Sequence, residues 1–346
     1  VRIGCESGRW SSGVETIATG SRTCALVGED DPVTPAIPTT IPHGRTARRL
    51  EWIHLPPAVR ARIEEHCGSP VASATSQGGG FTPGFASVLT CEDGSRHFVK
   101  AASTTAQRMF AESYREEARK LRALPTATPA PRLLWSEDGD WVVLGLEYVD
   151  ARAPRRPWLR ADLDACLDAL ETVAEVLTPV PPGLDLDSFA GELETWPAFW
   201  DHIRSTRDLP HADDAAALAA RFADVVGGET LVHTDVRDDN VLLTRDGRAL
   251  FCDWNWPCVG ASWLDSLVML LGPRGDGLDV DAVIAERPLL RDVPPEHIDR
   301  VLAVICGYFL KSADDPVPPT SPYIRDAQRW QGEVVWGWLC ERRGWV

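Results

Sequence analysis

"LVHTDVRDDNVLL", residues 231–243, sets a histidine, an aspartate two residues on and an asparagine five further along between two apolar runs. The ends, TLV and VLLT, have the composition of short buried strands, and the polar centre is a loop held on that rigid base. A turn at "RDG" (245–247) and a further strand-like run, "RALFCD" (248–253), continue the pattern. Such a hairpin turns Asp235, Asn240 and Asp253 toward one cleft. Asn240 offers a neutral carbonyl oxygen and Asp253 a charged one, hard oxygen ligands suited to Mg2+. Asp235 is then left to accept a hydrogen bond from a substrate hydroxyl and aim it. Asparagine is otherwise avoided: the chain holds two, Asn240 and Asn255, both in this neighbourhood.

Upstream the texture is that of an antiparallel sheet. "VASATSQ" (71–77) and "FASVLTCE" (85–92) read as strands on either side of "GGGFTPG", and "DGS" (93–95) turns into a third strand, "RHFVKAA". "TTAQRMFAESYREEARKLRAL" (104–124) predicts a helix capped by Thr104 or Thr105. "PRLLWS" and "WVVLGLEYV", joined by a tight "EDGD", give a fourth and a fifth strand. A short helix over 55–68 precedes them, with prolines at its start and Gly68 past its end. After Asp150 the period becomes helical: Leu163, Leu167, Leu170 and Val173 share one face of a helix over 159–177. Further helices are expected near 188–204, 212–226, 262–271, 295–311 and 321–342, with 312–323 a surface loop. The fold class is therefore α+β, five strands around one main helix followed by a mostly helical half.

Composition narrows the function classes. A chain of 346 residues with 44% hydrophobic content buries a large core and is long enough for two lobes. The net charge of −16 argues against nucleic acid and favours cationic ligands or plain solubility. Nine cysteines, an odd number without a Cys-x-x-Cys pair, show neither a zinc pattern nor a disulfide framework, which fits a reducing compartment. Cys252 and Cys258 have apolar neighbours and are expected as buried thiols. No stretch reaches the length of a spanning helix, and the start lacks a signal-peptide pattern, so a cytoplasmic protein without a membrane partner is expected. Residues 1–45, rich in Gly, Ser, Thr and Pro, are expected to be a poorly ordered extension.

His233-x-Asp235-x-x-x-x-Asn240 followed by Asp253 resembles the aminoglycoside phosphotransferase family, small-molecule kinases of protein-kinase-like fold. The resemblance covers roughly residues 70–345 and implies a two-lobed architecture, with a nucleotide-binding lobe over 46–148 and a helical lobe over 149–346. It implies that Asp235 is catalytic with His233 in support, and that Asn240 and Asp253 hold Mg2+. Lys100 would grip the phosphates of ATP (or GTP), oriented by a carboxylate of the following helix. Glu117 or its neighbour Glu116 fills that place, and the spacing of "ARKLRAL" favours Glu117. Gly78, Gly79, Gly80, Phe81 and Thr82 would form the loop over the phosphates, where glycine lets backbone amides approach. Glu147, Tyr148 and Val149 would meet the nucleobase, and Asp265 would be a buried carboxylate holding the catalytic loop. Taken singly, Lys100 is an ordinary strand-end lysine and Glu117 a solvated helix residue; their order along the chain is what joins them.

The chain also departs from the family. Thr234 stands where glycine is common, Arg237 lies in the loop, "WNWPCVG" follows Asp253, and the end "CERRGWV" is basic rather than acidic. These leave phosphotransfer intact and bear on the acceptor, for which the resemblance implies an aminoglycoside or another antibiotic. An acceptor hydroxyl on an antibiotic, an amino alcohol or a sugar, and a silent kinase-like binding module, stay open at this point, with a monomer or weak dimer expected. Asp238 and Asp239 are either solvated or attract a cationic acceptor. No Ala-Pro-Glu segment follows residue 253, which sets a protein kinase aside.

Overall fold

Alternating burial along the strands builds the first half of the molecule. The computed structural model describes residues 37–39, 41, 42, 44, 46–80 and 84–345. The expected extension up to residue 36, and Phe81 and Thr82 of the expected phosphate loop, lie outside them. Strands β1 (Val71–Ser76), β2 (Phe85–Cys91), β3 (Arg96–Ser103), β4 (Leu133–Asp138) and β5 (Trp141–Glu147) form one antiparallel sheet in the order β1-β2-β3-β5-β4. One face carries Phe85, Leu89, Val99 and Val143 and packs on Leu55 together with Val59 and Ile63 of helix α1 (Pro57–Cys67). The other carries Ala102, Val142, Leu144 and Leu146 and packs on Ala111, Tyr114 and Ala118 of helix α2 (Arg108–Ala123). Burying each large aliphatic or aromatic side chain contributes about 1.5–3 kcal/mol. Lys100 lies between Phe98 and Ala102 in the strand, so the same alternation turns it to the α2 face.

The second half begins with strand β6 (Ala151–Arg152) and helix α3 (Arg160–Val176). Helices α4 (Phe189–Glu192), α5 (Phe199–Thr206) and α6 (Ala212–Ala219) follow. Next comes the β segment: β7 (Thr230–Val232), β8 (Val241–Thr244), β9 (Ala249–Phe251) and β10 (Cys258–Gly260). Helices α7 (Leu264–Met269), α8 (Leu271–Gly275), α9 (Val280–Glu286), α10 (Pro295–Ser312) and α11 (Ile324–Arg343) complete the chain. The β8–β9 hairpin forms as expected and β6 adds to its edge, whereas β7 pairs with β10 and not with the hairpin. α10, buried along most of its length, is the axis of a core shared with α3, α5, α6 and α11. Among the described residues no helix is long and apolar enough to cross a membrane.

Where local expectations fail, backbone chemistry explains it. α2 starts at Arg108, not at a threonine cap, because Thr104 donates its amide and hydroxyl to the Asp140 carbonyl (3.0 and 2.9 Å) and closes the sheet edge. The helix expected over 188–204 breaks into α4, a turn at Trp196–Ala198 and α5, since Pro197 has no amide for a continuous ladder. α6 stops at Ala219, short of residue 226, and Phe222–Asp224 form a separate turn.

Candidate active site

The turn after β7 is bent by a residue whose shape resists it. Thr234 has φ 68°, a left-handed conformation costly for a β-branched side chain, where glycine would be unstrained. Asp265, on the first turn of α7 and 4% exposed, holds that turn: its Oδ2 accepts from the His233 amide (2.6 Å) and its Oδ1 from the Thr234 amide (2.9 Å). Burial pushes the Asp265 carboxyl up, and His233 and the two amides oppose this. His233 is fully buried. Its Nδ1 accepts from the Asp235 amide (3.2 Å), which places the proton on Nε2, where it is donated to the Cys252 carbonyl (2.9 Å). Trp254 lies edge-on to the imidazole, with ring centroids 4.6 Å apart. Both ring nitrogens are thus engaged with backbone.

Asn240 sits in the turn Asp238–Asn240 and is 1% exposed. Its Nδ2 donates to the Asp235 carbonyl and to Asp235 Oδ2, each at 2.9 Å, which sets the aspartate's rotamer and leaves the amide oxygen, an acceptor, as the atom able to ligate a metal. Asp253 follows β9 with φ 65° and contacts the Lys100 ammonium directly. On its other side Lys100 donates to Glu117 Oε1 (2.7 Å). Burial pulls the Lys100 ammonium down, and the Asp253 and Glu117 carboxylates override it, so the lysine is held well above its ordinary range. Asp253 is held below the usual carboxylate range, with Lys100 outweighing its burial. A helix of 3.6 residues per turn puts Glu117 on the buried stripe of Tyr114 and Ala118. Glu116 falls outside that stripe and pairs with Arg119 (2.9 Å). Burying such charges costs several kcal/mol per ion, so a cluster of them in a cleft marks a functional site.

Two cavities open at this cluster. One, of about 590 Å³, is lined by Gly78, Gly79, Gly80, Lys100, Glu147, Tyr148, Val149, Asn240 and Asp253. The Glu147 amide is committed to the Arg132 carbonyl (2.9 Å), so of the expected base-facing segment Glu147 offers no N–H. The other cavity, of about 490 Å³, has Asp235 on its wall and runs into the helical half. Gly80, Asp253 and Asn255 line both. The carboxylates of the loop have cationic partners: Asp238 meets Arg156 (3.1 Å), and Arg237 bridges Asp235 and Asp239 (3.1 and 3.2 Å). Burial pushes Asp239 up to about 6 despite Arg237, with Asp238 and Asp235 adding to the rise. Burial also pushes the thiols of Cys252 and Cys258 up. Trp200 is core, with its indole N–H on the Ala303 carbonyl (3.0 Å), and Asp201 pairs with Arg204 away from the cavity.

Sequence reading missed the segment before α1. Ile37 donates to the Gly275 carbonyl and Arg48 to that of Thr320, both at 3.1 Å, in the helical half. Thr46 and Ala47 donate their amides to the Gly78 carbonyl (2.9 and 3.1 Å), the Thr46 hydroxyl reaches the Gly80 carbonyl, and Arg49 Nη2 donates to the Gly79 carbonyl (2.6 Å). Arg49 also lines the larger cavity, and nothing near it in sequence marks it, because the glycine loop it meets lies 30 positions away. Away from the cleft, Cys67, Cys91 and His97 bring their ligand atoms within 4.8 Å of one another, a proximity that their spacing hides.

The sequence matches the phosphotransferase enzyme family over residues 86–297. No curated protein matches it. Among solved structures it is similar to an aminoglycoside phosphotransferase from Alicyclobacillus acidocaldarius (15% identity, TM-score 0.54, covering 84% of this chain and 96% of that one). It is also similar to a spectinomycin phosphotransferase (12%, TM-score 0.58, 82% and 98%). A choline kinase from Streptococcus pneumoniae is a third (13%, TM-score 0.55, 81% and 98%). At these identities the likeness concerns the fold, which is protein-kinase-like. With more than half of its length matched, the chain belongs to the phosphotransferase enzyme family.

Proposed function

We propose that the protein transfers the γ-phosphoryl group of a nucleoside triphosphate, ATP or GTP, to a hydroxyl of a small molecule. One observation carries the reading: a cavity with Lys100 and Asn240 on its wall and a cavity with Asp235 on its wall meet at Asp253. The spectinomycin phosphotransferase of similar fold is described in complex with ADP and spectinomycin, which supports a nucleotide in the first cavity and an acceptor in the second.

In this reading the hydroxyl oxygen of the acceptor forms a bond to the γ-phosphorus as the bond to the β–γ bridging oxygen breaks. The hydroxyl proton passes to Asp235, and the nucleoside diphosphate leaves. Asp235 is held for this by Asn240 and Arg237, so its aim is set before the acceptor arrives. Lys100, fixed by Glu117, supplies positive charge at the phosphates, and the Gly78–Gly80 backbone covers them. The Asn240 amide oxygen and the Asp253 carboxylate fit Mg2+ by donor chemistry. A bound Mg2+ would neutralise charge on the phosphates. His233 keeps the loop in shape and moves no proton. Asp235→Asn is expected to retain nucleotide binding while turnover falls by a factor of about 10² or more. Turnover equal to that of the wild type would contradict the assignment.

A further inference from the structure

The second cavity has a chemistry of its own, and it describes the acceptor. Four carboxylates line it: Glu192, Asp235, Asp238 and Asp253. Three are matched to cations, Asp235 to Arg237, Asp238 to Arg156 and Asp253 to Lys100. Arg156 is itself anchored by Asp276 (2.6 and 2.8 Å). Glu192, exposed at the end of α4, makes no ion pair among the described residues. Each of these cations also meets a second carboxylate, Arg237 that of Asp239, Arg156 that of Asp276 and Lys100 that of Glu117, so the pairing leaves an excess of carboxylates and does not bar a positive charge on the acceptor.

The remaining wall is apolar and aromatic. Trp196 and Tyr308 stack with centroids 3.9 Å apart, and Leu271 and Ile305 lie beside them on the lining. Trp256, in the unusual "WNWPCVG" segment, is 64% exposed although it lines this cavity. Its carbonyl accepts from the Thr234 hydroxyl (2.8 Å), so the exposed indole is tied to the strained turn one residue before Asp235. On the floor Trp158 is 1% exposed and sets its Nε1 edge against Gly272, where a Cβ would lie 2.8 Å from that atom.

We propose that the acceptor is a hydroxyl compound with a planar, largely apolar body, received at the mouth by Trp256. This rests on the phosphotransfer reading, which fixes the hydroxyl at Asp235. The cavity of about 490 Å³ suits a single compact molecule of this kind. An exposed indole beside the reacting end gives a flat face for a ring.

The test uses the full chain and three probes: 2-(naphthalen-2-yloxy)ethanol, 2-(benzylamino)ethanol and the diamine 2-deoxystreptamine. Binding is followed by saturation-transfer NMR in the presence of Mg2+ and a non-hydrolysable ATP analogue. The two aromatic alcohols are expected to bind at least about tenfold more tightly than the diamine, and Trp256→Ala is expected to weaken both about fivefold. Tighter binding of the diamine, no saturable binding of the naphthyl ether, or unchanged binding in Trp256→Ala overturns the proposal. Thermal protection by Mg2+ and the analogue, measured on the same samples, keeps the two readings apart. Its absence sinks the phosphotransfer reading and this proposal with it, whereas protection with the wrong probe order sinks this proposal alone.

Discussion

Asp265 commits both carboxylate oxygens to the amides of His233 and Thr234. Leaving two buried donors unpartnered costs about 1–3 kcal/mol each, so Asp265→Ala is expected to lower the free energy of unfolding in urea by about 2–5 kcal/mol. A loss below 1 kcal/mol would show that the turn holds itself. Asp239 makes a prediction in pH. Its carboxyl titrates near 6 in the folded protein, raised from its ordinary value by burial. Between its unfolded and folded values the folded state binds the extra proton, so this group's contribution to stability falls as pH rises from about 4 through 6. Asp239→Asn removes that fall. Its melting temperature relative to wild type is expected to improve between pH 4.5 and pH 7.5, and a constant difference would contradict the burial account. At this scale the sequence was legible where residue type dictates chemistry, as at Asp235, Asn240 and Lys100. It was silent on the loop carboxylates, because Arg156, the partner of Asp238, lies 82 positions away.

Among elements, the strands and long helices were readable because their apolar periods are carried by side chains. The strap over residues 46–49 was not, since half of its hold on the glycine loop uses backbone amides that leave no mark on composition and the rest spans about 30 positions. Gly80 has φ 75° and a Cβ there would lie 3.3 Å from the Arg49 guanidinium, so loop and strap are shaped for each other. Arg49→Ala is expected to raise the KM for nucleotide about three- to tenfold, within the range for losing a charge-assisted contact, with a smaller change in kcat. Steady-state kinetics at saturating acceptor measure it, and an unchanged KM would limit Arg49 to folding. The two sides of the cleft are also joined through Asn255, whose carbonyl accepts from Lys120 (2.6 Å) and whose side chain accepts from Ser113 (3.1 Å). The second rare asparagine thus ties α2 to the segment that carries Asp253. "WNWP" reads as one aromatic cluster, yet Trp254 is fully buried under His233 while Trp256 faces solvent. Adjacent aromatics in an irregular loop have no period to separate them.

For the whole molecule, composition constrains less than the local pattern does. The net charge of −16 suggested cationic ligands, and around the reacting end Arg156, Arg237 and Lys100 are each shared between two carboxylates. Overall charge is a sum over the surface, and a pocket is decided by its own pairs. The central claim is that the cavity of Lys100, Asn240 and Asp253 holds a nucleotide with Mg2+. Calorimetric titration of a non-hydrolysable ATP analogue, with and without Mg2+, tests it most directly when run on wild type, Asn240→Ala and Asp253→Ala. Mg2+ is expected to tighten binding to the wild type several-fold and to leave binding to either variant nearly unchanged. Wild-type binding indifferent to Mg2+, or equal Mg2+ dependence in all three proteins, would contradict it.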